Sequence, residues 1–196
     1  MADHDEDLTA TATEGYKVGE KKSLAEYQKL DANDESLNKW KASLGLGDGA
    51  AASSDPAKVT IKKLSLLVDG REPLEIDLTK PNALETLGTH PFIVKEGTEY
   101  QIEITFVVEN QIITGLRYVQ VVKRKGIKVD RSEEMMGSYG PNTATNPTYS
   151  KKLPLETAPS GMLLRGTYDA ASAFIDDDKH NHLSFNWAIK IAKDWS

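Results

Sequence analysis

Between positions 183 and 191 the chain alternates without a break. Leu183, Phe185, Trp187, Ile189 and Ile191 are large and apolar, and Ser184, Asn186, Ala188 and Lys190 separate them. Successive side chains of a β-strand point to opposite faces, so a period of two places all five on one face. Tyr100, Ile102, Ile104, Phe106 and Val108 repeat the pattern. Two strands with such broad apolar faces need cover, and stacked sheets supply it. The space between the sheets fits a filled core as well as a lined cavity, and alternation alone does not separate the two.

Further strands are predicted at 59–68, 74–78, 92–94, 112–123, 127–129 and 162–171, besides 100–108 and 183–192. Asp69-Gly70 and Lys125-Gly126 serve as turns, and Ser138-Tyr139-Gly140-Pro141 opens a polar loop to Lys151. Many short strands with closely spaced turn signals describe an all-β fold, an immunoglobulin-like β-sandwich over residues 58–196.

Residues 1–57 differ in kind. They hold 12 acids against 6 bases, whereas 58–196 hold 18 of each, so the net charge of −6 belongs to this part. Residues 1–22 are polar and aperiodic and read as disordered. Ser23 and Glu26 fit a capping box, followed by Leu24, Tyr27 and Leu30 at helical spacing. Asn33, Asp34 and Glu35 suit a second helix start, with Leu37, Trp40 and Leu44 on one face and Gly45 as the stop. Two short helices over about 23–44 are expected, then a Gly/Ala/Ser linker to Pro56. Each helix is too short to persist alone in water, so its apolar stripe is expected to fold against another protein. The segment reads as a flexible regulatory arm, and Ser23 at its cap is a position where phosphorylation could retune it.

Composition excludes several classes. No apolar run reaches membrane-span length, and the acidic residues 1–7 do not read as a signal peptide. Cysteine is absent, and Asn146 is followed by Pro147, which removes the one glycosylation sequon; a cytoplasmic location is expected. No basic stripe suits nucleic acid. Nucleotide-binding and hydrolase signatures are missing, and the glycines at 45, 47 and 49 have no strand before them or helix after them. His180 and His182 beside Asp176, Asp177 and Asp178 match no metal-ligand spacing. Lys123-Arg124-Lys125 reads as a solvated turn. The chain is expected to be no enzyme and to need no cofactor or metal.

Several stretches resemble one family. Leu30-Asp31-Ala32-Asn33-Asp34-Glu35-Ser36-Leu37 with Lys39-Trp40-Lys41 is similar to the amino-terminal arm of Rho GDP-dissociation inhibitors. Arg124-Lys125-Gly126-Ile127-Lys128-Val129-Asp130 and Met136-Gly137-Ser138-Tyr139-Gly140-Pro141 resemble it too. So do Ala158-Pro159-Ser160-Gly161-Met162-Leu163, Phe174-Ile175-Asp176-Asp177-Asp178-Lys179, His182-Leu183-Ser184 and Lys193-Asp194-Trp195.

The resemblance implies a cytosolic inhibitor that binds prenylated Rho-family GTPases, preferring the GDP form, as a monomer making a 1:1 heterodimer. It implies a geranylgeranyl group between the sheets and no stable membrane insertion. Leu30, Asp34, Leu37 and Trp40 then face the GTPase switch regions, Asp177 and Asp178 meet it from the body, and Asp130 and Glu156 approach its basic tail. Leu66, Phe92, Tyr100, Ile102, Ile112, Ala170, Phe185 and Trp187 are the implied lipid lining, with Ile104, Phe106, Ile189 and Ile191 left as core. Phe185 stands where animal members carry tryptophan, Ala170 where a branched residue is usual, and Thr157 where a second acid follows Glu156. Two rivals share the architecture: a carrier of other lipidated cargo, and an adaptor with a solid core.

Overall fold

The computed structural model describes residues 8–11, 34–36, 38–39 and 55–195. Among them are ten strands in two stacked sheets, an immunoglobulin-like β-sandwich. The first sheet is built on β1 (Lys58–Leu67) and β4 (Glu99–Glu109), antiparallel neighbours from Lys58↔Glu109 to Leu67↔Gln101. Beyond β1 lies β2 (Leu74–Asp77). On the far edge of β4 sit β7 (Tyr149–Lys152) and β8 (Glu156–Thr157), with the Leu153 N–H bonded to the Ile102 carbonyl between them.

The second sheet runs β3–β10–β9–β5–β6. Its strands are β3 (Phe92–Lys95), β5 (Ile113–Arg124), β6 (Ile127–Tyr139), β9 (Gly166–Ile175) and β10 (Asn181–Ala192). β3 pairs parallel with β10, so the chain between β2 and β3 must cross from one sheet to the other. Helix α1 (Ala83–Thr89) lies in that crossing and buries Ala83 and Leu87.

Both alternating stretches become interior strands whose apolar faces meet. Ile104 and Phe106 are fully buried, as are Phe174 and Val108, and Ile189 and Ile191 join the same cluster. Several elements depart from the sequence reading. β6 runs on through Ser138 and Tyr139, which were expected to form a turn. Only Met136 of its residues is fully buried, so it carries little apolar alternation. β9 starts at Gly166, not at 162, because Gly161 to Leu164 form a turn closed by a Leu164 N–H bond to the Gly161 carbonyl. The loop expected to reach Lys151 contains β7, and α1 was not foreseen. With seven residues and no capping side chain on Asn82, α1 leaves little local signal.

In the arm, Glu35, Ser36, Asn38 and Lys39 are helical. The Asp34 carboxylate accepts the Ser36 N–H at 2.8 Å, the expected cap. Ser23 and the helix predicted after it, and Leu30, Leu37, Trp40 and Leu44, lie outside the described residues.

Candidate functional site: an apolar gap beside an acidic cleft

The sheets are almost closed on one another. A gap lined by Leu64, Ser65, Leu66, Phe92, Ile102, Tyr118 and Trp187 leaves only ≈10 Å³ of open space. That is about the room one water needs. Leu66 and Ile102 are register partners on β1 and β4, while Trp187 comes from β10 and meets Phe92 edge-on at 6.0 Å.

A small polar network sets the two large rings. The Trp187 indole N–H donates to Ser172 Oγ at 2.9 Å. Tyr118 lies 2.8 Å from the same oxygen and donates to Gln120 Oε1 at 2.6 Å. Both polar tips are satisfied deep in the core, so the aromatic faces stay turned toward the gap. Burial pushes the Tyr118 phenol above its ordinary value, with the Ser172 hydrogen bond acting against that rise.

Tyr118 also lines a cleft of ≈390 Å³, together with Asp130, Ser132, Glu134, Leu153, Pro154, Glu156 and Thr157. It lies between β6, the edge of the second sheet, and the β7–β8 edge of the first. Three carboxylates line it and no basic side chain does. Tyr100 donates to Glu156 Oε2 at 2.5 Å. Burial first, and then the Glu156 charge, raise the Tyr100 phenol, which stays a donor.

Another acidic position, outside the cleft, is closely held. The Asp177 N–H bonds to the Thr114 carbonyl at 3.1 Å, and its carboxylate meets Arg117 Nη2 at 3.3 Å. Its carboxylate oxygen would stand 2.0 Å from a Cβ on Gly115, where φ is +58°. Only glycine combines that φ with that approach. Asp178, next along the turn, is exposed.

The residues named from sequence therefore divide. Leu66, Phe92, Ile102 and Trp187 line the gap together. Tyr100 joins the acidic cleft through Glu156. Ala170 and Phe185 are buried in the main core without lining the gap. Ile112 sits in the β4–β5 turn, at the far end of β4 from Ile102, so the structure does not bring it to the others. Asp130 and Glu156 share one cleft although 26 positions separate them. Asp34 is occupied as a helix cap. Sequence reasoning missed Leu64, Tyr118, Ser172 and Glu134. The first two are single inward positions of strands where polar and apolar residues mix, and Ser172 gains meaning only from the rings folded onto it.

The Asp176–Asp178 turn holds a different pair. Asp176 is buried and accepts the His180 N–H at 2.9 Å, and it meets His182 Nε2 at 3.0 Å. Burial opposes its charge, but these bonds hold its carboxyl below the usual range. Among the described residues no three His, Asp or Glu side chains converge as metal ligands. No helix there is long and apolar enough to cross a membrane.

The fold class is an immunoglobulin-like β-sandwich with an aromatic-lined seam and an acidic cleft that share Tyr118. The sequence model described as RHO protein GDP dissociation inhibitor matches residues 1–194. The chain is 48% identical over 182 residues to Rho GDP-dissociation inhibitor of Saccharomyces cerevisiae, covering 91% of this chain and 90% of that one. It is 49% identical over 179 residues to the Schizosaccharomyces pombe protein of the same name, covering 91% and 86%. It is 45% identical over 183 residues to human Rho GDP-dissociation inhibitor 1, covering 92% and 86%. The chain belongs to the Rho GDP-dissociation inhibitor family.

Proposed function

We propose that this protein binds Rho-family GTPases bearing a prenyl group, shelters that group between its sheets, and slows GDP release by laying its arm on the switch regions. The observation that carries the reading is that Tyr118 lines both the apolar gap and the acidic cleft. A lipidated protein with a basic segment before its lipid needs these two environments side by side. Asp130, Glu134 and Glu156 attract the basic segment, while Leu66, Phe92, Ile102 and Trp187 receive the chain.

Burial of a prenyl chain is worth about 0.8 kcal/mol per CH₂. A host that takes it from a membrane must offer comparable apolarity, because water cannot. The gap is too small for such a guest as it stands, so Phe92 and Trp187 swing and the sheets part near it. The apolar area this uncovers is covered again by the lipid. Acidic groups at the mouth set register and association rate more than affinity. Asp177, fixed by Arg117 and Gly115, offers a preset carboxylate on the body, with Asp178 beside it, and the arm (residues 1–57) supplies the inhibition. The role is regulatory and not enzymatic, and it belongs in the cytoplasm in a 1:1 complex.

The test is GDP dissociation from a prenylated Rho GTPase with and without this protein. Release slows markedly when it is present, and the unprenylated GTPase binds more weakly. Equal binding of the two forms sinks the lipid reading, and unchanged GDP release sinks the inhibitory one.

A further inference from the structure

The outer face of the second sheet should be wet, yet its centre is not. Val119 and Ala173, cross-strand partners on β5 and β9, are fully buried, and Ile175 is nearly so. They point away from the core and form a separate apolar cluster. What covers them is the chain's own residues 8–11: Leu8 and Ala10 pack on this cluster.

Polar contacts fix the same segment on both sides. The Thr11 N–H donates to the Glu133 carboxylate at 3.1 and 3.2 Å, and its hydroxyl donates to Glu133 Oε1 at 2.8 Å. Arg117 donates to the Thr11 carbonyl, and Arg131 donates to the Thr9 carbonyl at 2.8 Å. Arg117 and Glu133 are both largely buried and lie 2.9 Å apart. Alternate side chains on an apolar strip, with charged groups gripping the backbone between them, are the marks of a short peptide segment docked on a surface.

We propose that residues 8–11 are a latch holding the start of the arm on this face, and that phosphorylation of Thr11 releases it. The far end of the arm is pinned as well, since Gln111 donates to the Asp55 carbonyl at 2.7 Å and Asn110 to that of Pro56 at 3.0 Å. The intervening chain is closed at both ends while the latch holds, which keeps its residues at high local concentration on the body.

Thr11 is exposed, and acids stand on both sides of it in sequence, at Asp3, Asp5, Glu6, Asp7 and Glu14. A kinase with a basic substrate groove fits such a site. The enzyme moves the γ-phosphoryl of a nucleoside triphosphate to Thr11 Oγ1. The new P–O bond replaces the one to the leaving nucleoside diphosphate, and the hydroxyl proton passes to the kinase base. The product loses the donor that met Glu133 and sets close to two negative charges against that carboxylate. Arg117 already bonds Glu133 and Asp177, and Arg131 bonds Glu133 at 3.3 Å, so the phosphate leaves the cluster net negative.

Amide hydrogen exchange on the full chain tests this without any partner, so it stands or falls separately from the function proposed above. The Thr11 amide should exchange at least about tenfold more slowly than in a free peptide of residues 1–14. Protection should vanish in the Thr11-phosphorylated chain and in Glu133→Ala, while the Phe106 amide, deep in β4, stays protected in both. A Thr11 amide as fast as in the peptide means there is no latch. Protection kept or strengthened by the phosphate means the arginines capture it, which overturns the release.

Discussion

Ser172 carries more than its size suggests. One hydroxyl on β9 faces both the Trp187 indole N–H and the Tyr118 phenol, and so sets two of the rings that line the gap. Gly115 has the same leverage over Asp177, since it leaves the space the carboxylate fills. Gly115→Ala forces a Cβ to within 2.0 Å of that carboxylate at a backbone angle that already disfavours a side chain. The expected cost is about 2–4 kcal/mol, read as a lower urea midpoint. An unchanged midpoint removes the claim that Asp177 is fixed by close packing.

Among the elements, the β9–β10 hairpin depends on charge at its turn. Asp176 accepts bonds from His180 and His182, and its N–H bonds to the His180 carbonyl at 3.1 Å. Its folded carboxyl titrates below its unfolded value. The stability it contributes is therefore fully present above an ordinary aspartate pKa of about 3.9 and fades as pH falls through the lower folded value. Asp176→Asn should cost about 1–3 kcal/mol near neutrality. Urea titrations of both proteins should converge as the pH drops toward 3. A constant difference across that range rules out the charged carboxylate as the source.

β5 shows another effect of neighbours. From Leu116 to Val121 every residue is buried: the core takes one face, and on the other residues 8–11 pack on Val119 and bond Arg117. The reading of residues 1–22 as disordered does not hold for those four.

At the scale of the whole molecule, the acidic cleft exists only where two sheet edges come together. Asp130→Asn combined with Glu156→Gln keeps the shape and the acceptor for Tyr100 but removes two charges. Association with a Rho GTPase carrying a basic tail should slow by about tenfold at low salt and by much less at high salt, with dissociation changed little. Stopped-flow association measured at two ionic strengths gives the answer; a rate insensitive to both salt and substitution leaves the cleft without its proposed role.

The sequence by itself determined the long inner strands, since a period of two over five large apolar residues admits little else. It also determined the cap at Asp34, because that bond is made within three residues. Its likeness to a family reached further than periodicity, placing Leu66, Phe92, Ile102 and Trp187 together and Asp130 with Glu156. Only the tertiary structure decided that Ile112 lies at the far end of β4 from Ile102, that β6 is an edge strand, and that Tyr118 lines both seam and cleft. The physical reason is range: periodicity and capping act over a few residues of chain, whereas a seam, a cleft or a covered outer face is made by strands brought together from distant parts of it.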